Sequence, residues 1–225
     1  MATNHDVVRL GVAVGLGCWL AAASLADQFS FSGEAAKDQQ QAEADARARA
    51  ESIQALVSAP CPPRIKNQKI LLLVAEQASG RWLTSQDRYG QLVRVLDTRL
   101  KGLGLKPASQ EEIKASIAQA EVEAYFNNDP DAAVSASKRL GAQYLLKGSI
   151  TSRAAANAVV GVNEVEVSID LTLSAIDGRL LSDVSAHSGS YSGSDTLGTA
   201  LQLVNQQADL LVAQLYSDFC RNATK

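Results

Sequence analysis

Apolar and polar positions alternate in three different ways along the chain, and each way predicts its own element. Ile70-Leu71-Leu72-Leu73-Val74 is an unbroken apolar run, the pattern of a short strand covered on both faces. The segment from Gln77 to Thr84 that follows it reads as a loop. Tyr89, Leu92, Val93, Leu96 and Leu100 then recur at helical spacing, and Gly102 stands where that helix would end. Leu103–Pro107 is a candidate second strand. Ser109 followed by Glu112 forms a capping box, and Ile113, Ile117 and Ala120 make the stripe of the helix it opens. Asp129-Pro130 starts a further short helix, with an N-cap residue before a proline at the first helical position, and Leu140-Gly141 ends it.

Beyond Gly141 the period changes to two. Tyr144-Leu145-Leu146 leads a strand to about Arg153. Val165, Val167, Ile169, Leu171 and Leu173 then alternate with Glu166, Ser168, Asp170, Thr172 and Ser174, giving one apolar and one wet face. Asp177-Gly178 is a two-residue hairpin signal. Such a turn sets Ile176 opposite Arg179, Leu171 opposite Val184 and Ile169 opposite Ala186, so the apolar faces of the two strands coincide. The last element is a long helix with Leu197, Leu201, Val204, Ala208, Leu211, Leu215 and Phe219 at spacings of three and four. These elements predict an α/β fold: a central mixed sheet of about four to five strands with helices packed on it, ending in an antiparallel hairpin and a long C-terminal helix.

The first residues follow another rule. Arg9 precedes Leu10–Ala26, which carries no charge, and Ser24-Leu25-Ala26 offers small residues at the −3 and −1 positions of a cleavage site before Asp27. That is the pattern of a secretory signal. Two other readings stay open. The uncharged run is at the short limit for a membrane anchor through residues 10–26. Cys18 after Gly15-Leu16-Gly17 resembles a poor lipobox, with an apolar run continuing past the cysteine. The organisation expected is a signal at residues 1–26, a polar helical or flexible spacer at 27–64, and one domain at 65–221. In the spacer, Gln39–Ala50 favours helix but has no apolar stripe until Ile53, Leu56 and Val57.

Composition narrows the function. Among 225 residues, 46% are hydrophobic and 20% charged, which is a globular balance; the net charge of −3 lacks the basic excess that phosphate neutralisation needs, so nucleic acid is not an expected partner. Aromatics make up only 5%, too few for an extended stacking surface. Once a signal is removed, Cys61 and Cys220 remain, an even count for an oxidising compartment. One precedes the first core strand and the other ends the last helix. A disulfide is favoured; two separate buried thiols are the alternative.

Little in the chain suggests catalysis. His187 is the only histidine after residue 26 and falls on the wet face opposite Ser168. Ser188-Gly-Ser-Tyr-Ser-Gly193 places Tyr191 where a nucleophile elbow needs serine. Gly102-Leu-Gly104 lacks the remaining residues of a phosphate loop. Asp129-x-Asp131 suits a helix cap better than calcium ligation. No catalytic residue, cofactor, metal site or small-molecule substrate is therefore expected. Arg81 and Trp82 form a candidate partner surface, a cation and a large aromatic in a polar segment. The competing reading folds Trp82 back over the sheet edge.

The segment Lys138-Arg-Leu-Gly-Ala-Gln-Tyr-Leu-Leu-Lys-Gly-Ser-Ile-Thr151 resembles a passage shared by a periplasmic group. The group comprises the CsgG-like secretion domain, the LpoB-type activators of penicillin-binding proteins and the amino-terminal domain of TolB. Val165–Ala175, Asp177-Gly178-Arg179 and Leu180–Ser188 resemble its strand, turn and return strand, and the likeness covers about residues 65–220. It implies a non-enzymatic periplasmic module whose partners are envelope proteins, with oligomerisation open. The alternative it implies is a structural subunit of a secretion or flagellar assembly. The chain departs from CsgG-like pores at Ala154–Asn163, which is far too short for strands that span a bilayer.

Overall fold

The computed structural model describes residues 31–61, 66–78, 80–86, 90–159, 161–192 and 196–223. The expected signal, Cys18 and Tyr89 lie outside the described residues. The chain divides into two units, residues 1–42 and 43–225. Helix α1 (Phe31–Val57) begins in the first and ends in the second. Residues 35–52 are exposed, as a helix without an apolar stripe must be. Between 43 and 57 only Ile53, Leu56 and Val57 are half-buried.

The second unit is built on one mixed sheet. Its strands are β1 (Lys69–Ala78), β2 (Arg81–Leu83), β3 (Lys106–Pro107), β4 (Tyr144–Asn157), β5 (Val162–Ala175) and β6 (Leu180–Ser192). They lie in the order β2-β1-β4-β5-β6, with β3 beside the start of β1. β1 is parallel to β3 and β4, and every other pairing is antiparallel. The helices are α2 (Gly90–Gly102), α3 (Gln110–Ser116), α4 (Gln119–Phe126), α5 (Pro130–Leu140) and α6 (Thr196–Asn222).

Because side chains alternate along a strand, the apolar run of β1 feeds two cores. Ile70, Leu72 and Val74 join Leu92 and Leu96 of α2 and Val204, Leu211 and Leu215 of α6. Leu71, Leu73 and Ala75 join Ile113, Val122, Phe126 and Ala136 from α3, α4 and α5. Each fully buried leucine or isoleucine contributes about 1.5–3 kcal/mol from burial. β4 passes close to the first core at Gly148. A Cβ there would meet Leu171 Cδ2 at 3.1 Å and Val74 Cγ2 at 3.2 Å. The glycine of the resembled segment thus lets β4 lie flat under two neighbouring side chains.

Local signals are kept where they were read. Ser109 Oγ accepts from Glu112 N–H, and Glu112 returns a carboxylate to Ser109 N–H. Asp129 Oδ1 accepts from Asp131 N–H before Pro130, and Gly141 closes α5 in the left-handed region. β5 and β6 pair with Leu171 opposite Val184 and Ile169 opposite Ala186. Cys61 and Cys220 are bonded, with Cα atoms 4.7 Å apart, which sets aside two separate thiols.

Four expectations are corrected. The segment after β1 is not a loop: β1 runs on to Ala78 and turns into β2, with Gln77 opposite Trp82 and Ala78 opposite Arg81. The helix that the capping box opens ends at Ser116, and a second helix follows it. Ile117 adopts an extended conformation, Glu121 then accepts from Ala118 N–H to start α4, and Ala120 is exposed. Arg139 of α5 holds this break by donating to Ser116 C=O and to the Glu121 carboxylate. The β5–β6 turn has three residues, because Ala175 C=O accepts from Gly178 N–H and Ala175 N–H reaches Arg179 C=O. A bulge at the Leu173/Ser174 step restores the register, burying Leu181 and leaving Leu180 exposed. Finally, β4 continues past Arg153 to Asn157.

Candidate interaction face

The helices cover the sheet unequally. α2 and α6 lie on one side, and the first core reaches Val165, Val167, Ile169, Leu171 and Leu173 of β5. On the other side, α3, α4 and α5 cover β1 and the start of β4; the second core includes nothing from β5 or β6. The outer side of β4–β6 is therefore a polar floor. β5 contributes Glu164, Glu166, Ser168, Asp170 and Thr172. β6 contributes Asp183, Ser185, His187 and Tyr191, each exposed. β4 contributes Ser149, Thr151 and Arg153.

The floor is ordered by cross-strand contacts. Thr172 Oγ1 donates to Asp183 Oδ1 at 2.8 Å, and Ser149 Oγ to Asp170 Oδ2 at 3.3 Å. His187 sits opposite Ser168, where the alternation placed it. Ser185 and Gly189 flank it on the same face of β6. Among the described residues, no group of three or more His, Cys, Asp and Glu could hold a metal ion.

A wall bounds the floor where α4 ends. Lys147 of β4 holds its Nζ 4.9 Å from the Tyr125 ring centroid and 5.2 Å from that of Phe126. Burial pushes the Lys147 pKa down and the Tyr125 pKa up to about 12. The Phe126 ring lies 5.4 Å from Trp82, which is half-buried against the second core. Trp82 thus does pack back onto the edge, through α4, and keeps part of its surface. Arg81, beside it on β2, is exposed. The floor and Trp82 are on the same side of the sheet, with the end of α4 between them.

The wet face of β5 and β6 was legible through its alternation, and Arg81 and Trp82 stood out by residue type alone. Lys147 and Tyr125 were not legible. Neither has a local signal, since their pairing depends on α4 crossing β4. A shallow polar face with one aromatic and cationic wall can recognise by hydrogen bonds, charge and stacking.

No family model matches the sequence, and no curated protein does. Solved structures do. The chain is similar to a lipoprotein from Neisseria meningitidis at 17% identity and a TM-score of 0.42, over 62% of this chain and 96% of that one. It is similar to a PelC dodecamer from Paraburkholderia phytofirmans at 15% identity and a TM-score of 0.36, over 69% and 94%. It is also similar to the LpoB C-terminal domain from Salmonella enterica at 15% identity and a TM-score of 0.36, over 60% and 94%. LpoB, which Lys138–Thr151 resembles in sequence, is thus among the structural neighbours. At these scores the likeness carries no functional weight.

Proposed function

We propose that the chain is a non-catalytic periplasmic module that binds a protein partner of the cell envelope through the open side of β4–β6 and the Arg81–Trp82 corner. The observation that carries this is the unequal covering of one sheet. β1 is buried on both sides, whereas the outer side of β5 and β6 is left to solvent with its polar groups arrayed at regular spacing. A floor of that kind is as large as the strands are long, and it offers binding without enclosing a substrate.

Residues 1–26 act as an export signal, residues 27–64 as a spacer, and residues 65–221 as the binding domain in this reading. The compartment is supported by the Leu10–Ala26 pattern and by the Cys61–Cys220 bond, which oxidising surroundings preserve. Among the described residues, no helix is long and apolar enough to cross a membrane. Lys138–Thr151 adds the resemblance to a group of envelope regulators and scaffolds. The test is site-specific photocrosslinking in intact cells from Ser168 on the floor. A discrete adduct with one envelope protein is expected, and no adduct above that of an untreated sample would contradict the reading.

A further inference from the structure

Where the floor meets its wall, one charge stands without a counterion. Lys147 is half-buried, and its Nζ lies 4.9 Å from the Tyr125 ring centroid and 5.2 Å from that of Phe126. Among the described residues, it makes no hydrogen bond and no ion pair. Lys37, Lys69 and Lys101 each hold a carboxylate instead, on Glu34, Glu112 and Asp97. A lysine is rarely withdrawn from water unless it is paired. Contact with the ring faces offsets part of that cost. Burial still lowers the Lys147 pKa, so the ammonium stays short of solvation.

Two carboxylates share the floor with Lys147, and neither takes it. Lys147 lies opposite Thr172 on β5, Asp170 is two residues from Thr172, and Asp183 is opposite Thr172 on β6. Asp183 accepts from Thr172 Oγ1, and Asp170 accepts from Ser149 Oγ. Each carboxylate is held within the floor by a hydroxyl, while the lysine turns the other way, to the end of α4. Its ammonium is thereby set at the boundary between polar strands and aromatic rings.

The missing charge defines a ligand. We propose that Lys147 anchors the protein partner by taking one of its carboxylates, from an aspartate, a glutamate or a chain terminus. This rests on the floor being the seat of the partner. A phosphate is a poorer match, because it carries up to two charges and three acceptor oxygens. Lys147 stands alone: the next cation on the outer side of β4 is Arg153, six residues on and about 20 Å away at about 3.3 Å per residue. Asp170 and Asp183 also repel a dianion more than a single carboxylate. A docked partner excludes water from the pair and so strengthens it. The Phe126 and Trp82 rings, 5.4 Å apart, give the carbon chain behind the carboxylate an apolar seat.

A water-soluble carbodiimide joins an amine to a carboxylate in direct contact, with no spacer, the reagent taking up the water released. Intact cells making the full chain are treated with it, and the crosslinked peptides are sequenced by mass spectrometry. An amide bond between Lys147 Nζ and an acidic residue or terminus of one envelope protein is expected. The second measurement is the photocrosslink from Ser168. Lys147→Met and Lys147→Gln, the latter keeping a donor but no charge, are each expected to lower its yield at least about tenfold. Methionine keeps an apolar stem against the rings and removes the unpaired charge, so the denaturant midpoint of Lys147→Met should hold or rise. A lysine that merely held α4 in place would lower that midpoint when replaced. The proposal is overturned by a Ser168 adduct that keeps its yield in either variant, by a lowered midpoint in Lys147→Met, or by a Ser168 adduct that forms with no amide at Lys147. If the wild-type chain gives no Ser168 adduct, the reading of the floor fails first and this proposal fails with it.

Discussion

The side-chain amide of Gln86 pairs with the backbone of Val74 as a strand would, accepting from its N–H at 3.3 Å and donating to its C=O at 2.7 Å. The amide also donates to Thr84 C=O at 2.8 Å. β3 covers the start of β1 on this edge and β2 covers its end, so Gln86 fills the interval between them. Among the described residues, this edge of β1 is thereby partnered at its start, its middle and its end.

Removing that amide takes a partner from three buried backbone groups, Val74 N–H, Val74 C=O and Thr84 C=O, and each group left unsatisfied costs about 1–3 kcal/mol. Gln86→Ala is expected to lower unfolding stability by about 3 kcal/mol, measured from the denaturant midpoint at unchanged slope. A loss under about 1 kcal/mol would show that water replaces the amide and that the edge is not sealed as described.

The Cys61–Cys220 bond closes a loop with a sequence separation of 159 residues. The chain-entropy relation gives about 5 kcal/mol for a loop of that size, as an upper value. Around the bond, Ser182 Oγ donates to Asp218 Oδ2 and Asn222 Nδ2 to Leu181 C=O, so the end of α6 stays on β6 without it. Cys61→Ser is therefore expected to lower the melting temperature while keeping the fold. Reductant should lower the wild type equally and leave the variant unmoved; a further drop in the variant would place the redox sensitivity elsewhere.

Stability should fall in acid through two carboxylates at helix starts. The Lys69 ammonium and then Ser109 N–H hold the Glu112 carboxyl below its ordinary range; Arg139 and then Ala118 N–H do the same for Glu121. A depressed carboxyl pKa gives stability that is present above the unfolded value and is lost as pH falls through the folded one. The difference in unfolding stability between wild type and Glu121→Gln should thus be largest at about pH 6 and shrink towards about pH 3. The same holds for Glu112→Gln. A difference independent of pH would remove the ion pairs from the account.

Arg81 and Trp82 should separate into two roles. Trp82 packs 5.4 Å from Phe126 at the ring centroids, so Trp82→Ala is expected to cost about 2 kcal/mol of stability besides about 1–3 kcal/mol of partner affinity. Arg81 is exposed, and Arg81→Ala should change stability by less than about 0.5 kcal/mol while still weakening the partner. Partner capture unchanged by Arg81→Ala would leave Trp82 as a structural lid on α4.

What the sequence disclosed depended on how far each feature reaches along the chain. Ser109 with Glu112, Asp129 with Pro130, and the alternation of β5 act within a few residues, and all are seen. The break between α3 and α4 needs Arg139, which arrives from another helix, and periodicity alone ran Ile113, Ile117 and Ala120 together. The three-residue turn at Asp177-Gly178 differs from the expected two-residue one by a bulge that leaves most of the register unchanged. Gln86 and Lys147 act across strands and carry no local mark. That β5 and β6 have one wet side was legible; that no helix among the described residues covers it follows from where α3, α4 and α5 end.

The central claim is that the outer side of β4–β6 is where the partner sits. Photocrosslinking residues placed singly at Ser168, Ser185 and His187 on that floor, and at Gln214 on the exposed side of α6, test it in intact cells. One adduct of constant size from the three floor positions, absent from Gln214, is the predicted result. An adduct that forms from Gln214 and not from the floor would contradict it.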